Sequence, residues 1–545
     1  MESSSVDLPK LSEKPKIAYI ETIERIETAD TRCRGPNTFL SQDLKVSANE
    51  PTEEYEGRHR YDPNFHWEAL EEKKIVRKLD KRVCVWTCLA FFCLLLDRSN
   101  TSQAIADNLL DDLKMNTNDY NFGSTLFNIT FLIAEIPMQL LAKKIGPDRW
   151  LPVQMVAWSI VASCQAFLKN RTGYLICRSL LGITEAGFIP ENVLYLSYFY
   201  TGAEMAYRMT FFWIAFQASQ VISALMAFGI LHLRGVAGLP GWRWLFGLEG
   251  CITGIIGVIA IFFYPTSPTQ PSIYAKLRGP KSWFTENEEK VMVNRILRDD
   301  PAKGAMHNRE HISFKMMWKA TTDWHMVPMY ILSLTWTVPF LPMTMYMTLT
   351  LRGLGFTTFQ TSLMSIPGAT LVGLQLFFWA WVSRKTGQTL LLGVIGQLWA
   401  IPFLLTLLFL PRHPNPWVKW VICLLLVGYP NILGIMVSLV SRNAGSVRTR
   451  ALAATVFNMG VHGASIIGFN IYRNDDKPAY HRGNKVLLGF VCLNILMFIS
   501  AKMLYKWENA RRDKIWNAMT DDEKIEYLTN TTDEGNKRLD FRFDH

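Results

Sequence analysis

Arg178-Ser-Leu-Leu-Gly182-Ile-Thr-Glu185-Ala-Gly187-Phe-Ile-Pro190-Glu191 places one basic and two acidic side chains inside a long apolar run. The run extends over residues 173–200, enough for a helix to cross about 30 Å of hydrocarbon. A charge at bilayer depth costs about 2.5–3.5 kcal/mol or more, so an ionisable residue there is read as functional. Arg178 and Glu185 are seven residues apart. That is nearly two helical turns, so both lie on one face, about 10 Å apart along the axis. Gly182 falls between them and permits close approach of another helix. Pro190 weakens the hydrogen-bond ladder further on.

The rest of the chain repeats this pattern of apolar runs. Of 545 residues, 49% are hydrophobic and 19% charged, and the charges gather in a few segments. Charge-poor stretches of membrane-spanning length recur too often for a soluble protein. The nine cysteines show no CxxC pair or metal-ligand spacing and mostly sit in apolar runs, where cysteine acts as a small hydrophobe. No metal site, catalytic site or cofactor is expected beyond a proton as coupling ion. GxSxG, P-loop and HExxH motifs are missing from the sequence, so it does not read as an enzyme. The +10 net charge comes from basic residues flanking apolar segments, which suits lipid headgroups rather than nucleic acid.

Residues 1–80 are polar and expected to be a disordered tail. It ends in Glu71-Glu-Lys-Lys-Ile-Val-Arg-Lys-Leu-Asp-Lys-Arg82, with six basic residues in twelve. Six spans are expected within 81–264, at about 83–104, 119–142, 150–168, 173–200, 206–232 and 243–264. A polar loop, 265–325, holds ten Lys or Arg. Six more spans are expected within 326–507, at about 326–350, 357–383, 388–410, 417–440, 449–472 and 485–507. A polar tail, 508–545, follows. The even number puts both tails and the central loop on one side, and their basic character makes that side the cytoplasm. An N-terminal signal peptide is not legible, so the first span is the expected targeting signal.

This is an all-α membrane architecture, two six-helix halves joined by a loop, as in major facilitator transporters. An internal echo supports it. Lys143-Lys-Ile-Gly146-Pro-Asp148-Arg149 closes span 2, and Ser383-Arg384-Lys385-Thr-Gly387 closes span 8. Gly146, Asp148, Arg149 and Gly387 are therefore read as gating or structural residues.

The ionisable residues at membrane depth fall mainly in the first half. They are Asp97 and Arg98 in span 1, Glu135 in span 2, Arg178, Glu185 and Glu191 in span 4, and Glu249 in span 6. In the second half only His462, in span 11, lies well inside a span. Asp97 and Arg98 are adjacent and point about 100° apart on a helix, so each can face a different partner. Glu135 and Glu249 read first as interhelical hydrogen-bonding groups. Gln217, Asn458 and His462 line a pore or bond between helices. Trp158, Trp213 and Trp379 read as packing or belt aromatics.

Several segments carry a family resemblance. They are Leu96-Asp-Arg-Ser-Asn100, Glu135-Ile-Pro137, Ile145-Gly-Pro-Asp-Arg-Trp150, Gly241-Trp-Arg-Trp-Leu-Phe246 with Glu249-Gly250, and Asp299-Asp-Pro-Ala-Lys-Gly304 with His307-Asn-Arg309. Ser446-Val-Arg-Thr-Arg450, Asn458-Met, Asp475-Asp-Lys-Pro478 and His481-Arg-Gly-Asn484 complete the set. Over roughly residues 65–545 the chain resembles the anion:cation symporter family of the major facilitator superfamily, in particular the fungal allantoate-permease-like group. The resemblance implies proton-coupled import of a small organic anion. By position it implies proton coupling at Asp97 and Glu185, with Arg98 and Arg178 in the same pattern. Two positions depart from it. Arg384 stands where relatives often have Asp, and Glu191 where they commonly have a small residue.

Asp97, Glu185 and Glu191 are thus the expected proton-coupling groups. Arg98, Asn100, Arg178, Gln217, Asn458 and His462 are the expected substrate contacts. Desolvation disfavours the charged form of a carboxyl, which suits a proton carrier. The substrate remains open among allantoate, carboxylate vitamins, short peptides and sulfur-containing anions. The expected partners are this anion, protons and lipid, and the expected state is a monomer. The plasma membrane is the expected location, with endoplasmic reticulum or vacuole as alternatives. A weakly transporting nutrient receptor and a proton-coupled antiporter are the competing functions. The antiporter's Gly-Pro-rich signature is missing from span 5, which reads Phe216-Gln-Ala-Ser-Gln-Val-Ile-Ser-Ala-Leu225.

Overall fold

The computed structural model describes residues 51, 55, 57–269, 284–299, 322–411, 415–445, 447–477, 479–531 and 535–545. The Asp300–Gly304 and His307–Arg309 parts of the family pattern, Ser446 and Pro478 lie outside them. Among the described residues every regular element is a helix.

Fifteen helices make twelve passes. A helix before the first pass, α1, is Ala69–Leu79. Passes 1 to 3 are α2 (Val85–Ala106), α3 (Thr117–Ile145) and α4 (Pro147–Cys164). Pass 4 is divided into α5 (Arg171–Glu185) and α6 (Phe188–Ser197). Passes 5 and 6 are α7 (Gly202–Ile230) and α8 (Gly241–Phe263). A separate helix, α9 (Glu286–Asp299), stands in the central connection.

Pass 7 is divided into α10 (Val327–Thr335) and α11 (Leu341–Gly353). Passes 8 and 9 are α12 (Thr358–Thr386) and α13 (Thr389–Phe409). Pass 10 is divided into α14 (Pro416–Val427) and α15 (Leu433–Asn443). Passes 11 and 12 are α16 (Val447–Phe469) and α17 (His481–Ala518), with α18 (Asp521–Asn530) after them. Seven of these helices are individually long and apolar enough to cross a membrane. Large apolar side chains such as Ile133, Leu374, Phe378 and Leu496 stand exposed on the bundle, as lipid contact requires.

The second passes of the two halves echo each other. Each is 29 residues long. Each begins with a capping box, from Asn116 and Asp119 in α3 and from Thr357 and Gln360 in α12. Each ends at a glycine with positive φ, Gly146 at +101° and Gly387 at +65°. A side chain would strain either turn.

The ends of the passes define two faces, one carrying α1, α9 and the C-terminal segment (the tail face) and one opposite it (the far face). The hydrogen bonds that join the two halves run from the far face to about the middle of the bundle. Thr358 Oγ1 donates to the Ala106 carbonyl at 3.2 Å, and Ser362 Oγ to Gln103 Oε1 at 3.0 Å. Thr348 Oγ1 donates to the Ser102 carbonyl at 2.7 Å, Asn121 Nδ2 to the Tyr472 carbonyl at 2.8 Å, and Tyr346 to Asn121. His232 and Phe359 stack across the same boundary at 3.7 Å. The far face is therefore closed by direct contact between the halves.

Residues 1–50 of the expected disordered tail and much of the central loop lie outside the described residues; the described parts of the polar segments are more ordered than composition suggests. Residues 57–80 pack on α9 instead of forming a free tail: Lys78 pairs with Glu288 at 2.7 Å, and Asn294 bonds the Asp62 amide and the Arg60 carbonyl. α1 runs into α2 through a π-helical turn, Asp80–Cys84. There Asp80 accepts two hydrogen bonds from Arg208 of α7, at 2.9 and 3.0 Å. The central connection is fixed by Arg295 of α9, which bonds Glu204 and the Phe199 carbonyl. At the other end, Phe543 is buried between the Tyr505 and His325 rings. Nearby Arg442 pairs with Asp544, and Arg512 donates to the carbonyls of Asn536, Arg538 and Phe541. A buried aromatic anchor and paired arginines supply what the low apolar content lacks.

Candidate substrate and proton site

Pass 4 breaks inside the charged stretch, and the break lies two residues after Glu185 rather than at Pro190. α5 ends at Glu185, Ala186 is extended, and Gly187 adopts φ +77° before α6 begins. Pro190 falls in the first turn of α6, where a missing N–H costs nothing. Gln154 Nε2 of α4 donates to the Ala186 carbonyl at 2.7 Å, capping a backbone group that the break frees. At Gly182, α5 packs so closely on α3 that an added Cβ would lie 3.2 Å from the Phe127 carbonyl carbon, and nearer still to its oxygen and to Thr130 Oγ1.

This close packing brings Glu185 to Arg98. Arg98 Nε donates to Glu185 Oε2 at 2.6 Å, with the Glu185 side chain 1% exposed and that of Arg98 23%. The guanidinium lies 5.5 Å from the Phe127 ring centroid and 5.3 Å from that of Phe131. Its Nη2 is buried without a hydrogen-bond partner. The pair therefore sits in a low-dielectric setting with one donor unspent.

The second half completes the site from α16. Asn458 Nδ2 donates to Glu135 Oε1 at 2.9 Å. His462 stacks on Phe131 at 4.1 Å, and its Nδ1 lies 2.9 Å from Asn128 Oδ1. Asn128 Nδ2 is committed to the Ser124 carbonyl at 2.8 Å, so its Oδ1 must accept. The imidazole proton is thereby assigned to Nδ1, which leaves Nε2 as an acceptor. Arg98, Glu185, Glu135, Asn458 and His462 thus form one polar cluster between the halves.

The other expected residues stand elsewhere. Asp97 turns away from the cluster, and its Oδ2 accepts from Trp158 Nε1 of α4 at 3.2 Å. Asn100 is buried on the side facing α8 and Glu249, not in the cluster. Arg178 lies nearer the far face, its guanidinium 5.5 Å from the Tyr174 ring, with Nε and Nη2 unpartnered. It shares the α5 helix with Glu185, but the ion pair of Glu185 is made with Arg98. Glu191 is buried beyond the break, in the first turn of α6. Gln217 packs on Gly373 where α7 meets α12. Asp148 accepts from Thr266 Oγ1 at 2.9 Å in the turn after Gly146, and Arg149 beside it is exposed.

Sequence reasoning missed four contributors. Trp158 reads as packing but holds Asp97. Phe127 and Phe131, which nothing in the sequence singles out, flank Arg98. Asn128 begins an Asn128-Ile-Thr130 glycosylation sequon, which is how the sequence reads it, although a buried amide in mid-span is itself a signal. Among the described residues no group of three or more His, Cys, Asp or Glu is placed to hold a metal.

Comparison with known proteins agrees with the twelve-pass architecture. The model of the Major Facilitator Superfamily matches residues 87–469. The chain is 44% identical over 491 residues to the uncharacterized transporter YIL166C of Saccharomyces cerevisiae, covering 90% of each. Among solved structures it is similar to a bacterial homologue of the human lysosomal transporter Spinster, at 13% identity and TM-score 0.57, covering 77% of this chain and 96% of that one. It is equally similar to the xylose transporter XylE from E. coli, at 14% identity and TM-score 0.57, with the same coverage. At these identities the solved structures bear on the fold alone.

Proposed function

The chain belongs to the Major Facilitator Superfamily, and from that premise we propose that this membrane transporter is a proton-coupled symporter of a small organic anion. The finer assignment is to the anion:cation symporter family, allantoate-permease-like group. The observation that carries the reading is the Arg98–Glu185 pair, buried between the halves with Arg98 Nη2 unspent. A proton on Glu185 cancels the charge that holds Arg98, and the freed guanidinium takes an anion. Loss of that proton restores the pair and expels the anion. Proton and anion thereby occupy the site together or leave it together, which is the logic of symport.

The energetics favour this arrangement. Moving an anion inward against a negative interior costs about 2.3 kcal/mol per charge per 100 mV, and a co-transported proton cancels that charge. Glu135, Asn458 and His462 offer the uncharged part of the substrate a carboxyl, an amide and a ring-nitrogen acceptor. The substrate is drawn from allantoate-like ureido acids, carboxylate vitamins, short peptides and sulfur-containing anions, and leaves chemically unchanged. We place the tail face in the cytoplasm of the plasma membrane because the tails and central connection are basic beside the spans. With the far face closed, the conformation described is then the inward-facing one.

The test is uptake into vesicles containing the purified protein, with an inward proton gradient and radiolabelled anions from these four classes. One class should accumulate against its gradient with proton entry, and collapse of the proton gradient should abolish accumulation. Accumulation unaffected by the proton gradient would refute the coupling.

A further inference from the structure

Behind the Arg98–Glu185 pair, on the side of α2 that faces α8, four polar side chains meet in two rows. Asp97 and Asn100 stand about one turn apart on α2, and Glu249 and Thr253 about one turn apart on α8. The two helices run in opposite directions, so Thr253 comes beside Asp97 and Asn100 beside Glu249. All four are buried, Glu249 and Thr253 at 0% exposure.

Their hydrogen bonding does not close. Asp97 Oδ1, Asn100 Oδ1, Thr253 Oγ1 and both carboxyl oxygens of Glu249 have no hydrogen-bond partner. The exception is Asp97 Oδ2, held by Trp158 at 3.2 Å. The donors beside the two carboxyls are Trp158 Nε1, the Asn100 amide and the Thr253 hydroxyl, all uncharged, so among the described residues no cation pairs with either acid. Buried polar atoms in folded proteins are almost always bonded. A proton on a carboxyl removes a buried charge and adds a donor for the unpartnered oxygens. Among the described residues no free cation stands nearby to neutralise the acids instead. From α5 the facing charge is Glu185, another acid, already paired with Arg98. On α2 itself Arg98 turns to Glu185, and the remaining neighbour is the Cys93 thiol. α4 presents the uncharged Trp158.

We propose that Asp97 and Glu249 form a second proton-binding pair, distinct from the Arg98–Glu185 pair, with Asn100 and Thr253 as the hydrogen-bond partners of the protonated carboxyls. An O–H bond forms at a carboxylate oxygen when a proton arrives from the far-face solution. It breaks to water when the tail-face side opens, with no other bond made or broken. The coupling role rests on the symport reading above. Glu249, which in sequence reads as a helix–helix contact, becomes part of the proton path.

The experiment is the proton-to-anion ratio in vesicles, measured from proton entry and labelled anion together, for wild type and Asp97→Asn/Glu249→Gln. If two sites each carry a proton, the ratio falls about two-fold when one is removed. A wild-type ratio in Asp97→Asn/Glu249→Gln overturns the proposal. An infrared difference spectrum keeps it testable if that variant does not fold. In Glu135→Gln/Glu185→Gln protein a pH-responsive protonated-carboxyl band must persist, and its disappearance overturns the pair. Wild type that takes up anion without protons would refute the symport reading, while the infrared band would still decide whether the pair holds a proton.

Discussion

Gly182→Ala probes the contact that positions the site. In the native packing the added Cβ would lie 3.2 Å from the Phe127 carbonyl carbon and closer to the carbonyl oxygen and Thr130 Oγ1, whereas ordinary contact is 3.4–4 Å. Thr130 can rotate away, but Phe127 contributes backbone inside α3 and cannot. The two helices must therefore separate by about 1 Å, and overpacking of this kind costs about 1–3 kcal/mol. Glu185 is three residues further along the same helix and moves with it. A shift of about 1 Å takes the 2.6 Å Arg98–Glu185 contact outside hydrogen-bonding distance. Purified Gly182→Ala should melt several degrees lower in detergent and lose most proton-driven uptake. Thr130→Ala added to it should restore little, because the backbone clash remains. Wild-type melting and uptake in Gly182→Ala would refute the reasoning.

Three further outcomes follow from the same geometry. Asn458→Ala leaves the fully buried Glu135 without its partner and should cost about 1–3 kcal/mol in thermal unfolding, part of which Glu135→Gln should return. Gly187→Ala forces a side chain into φ +77° and should cost roughly 1–2 kcal/mol, whereas Pro190→Ala, in the first turn of α6, should be nearly neutral. Asp323 ties the C-terminal segment to α10 through Asn536 at 2.6 Å. Burial pushes its carboxyl up, but hydrogen bonds from His325 and Asn536 outweigh this and hold it below its ordinary range. A carboxyl lowered in the folded state stabilises fully above its unfolded range and loses that contribution as pH falls through the lowered folded value. The hydrogen-exchange protection factors of residues 535–545, taken relative to intrinsic exchange at each pH, should therefore fall on acidification, and Asp323→Asn should flatten that dependence.

The fold was legible because its signal is repetitive. Apolar runs of spanning length, a basic central connection and the paired glycine turns at Gly146 and Gly387 all depend on local sequence. The Arg98–Glu185 pairing was only half legible. Membrane-depth charge singled out both residues, but which arginine meets Glu185 depends on how α2 and α5 rotate against each other, and Arg178 was the nearer candidate in sequence. Pro190 drew attention as the weak point of pass 4, yet the chain breaks at Gly187, because a proline in a first turn disrupts nothing. Glu135 and His462 were visible as polar residues in apolar runs, but their partners Asn458 and Asn128 lie more than 300 residues away in sequence. The order at residues 57–80 and 535–545 comes from single buried anchors such as Phe543, which composition averages away.

The link between a proton on Glu185 and an anion on Arg98 is tested most directly by anion affinity as a function of pH, in wild type and Glu185→Gln. If one proton is taken up with each anion at this pair, the pair contributes an affinity rise of up to about ten-fold for each unit that the pH falls, and in Glu185→Gln that contribution disappears, leaving only what the Asp97–Glu249 pair adds. A wild-type affinity indifferent to pH, or a Glu185→Gln protein that keeps the full slope, would contradict the account.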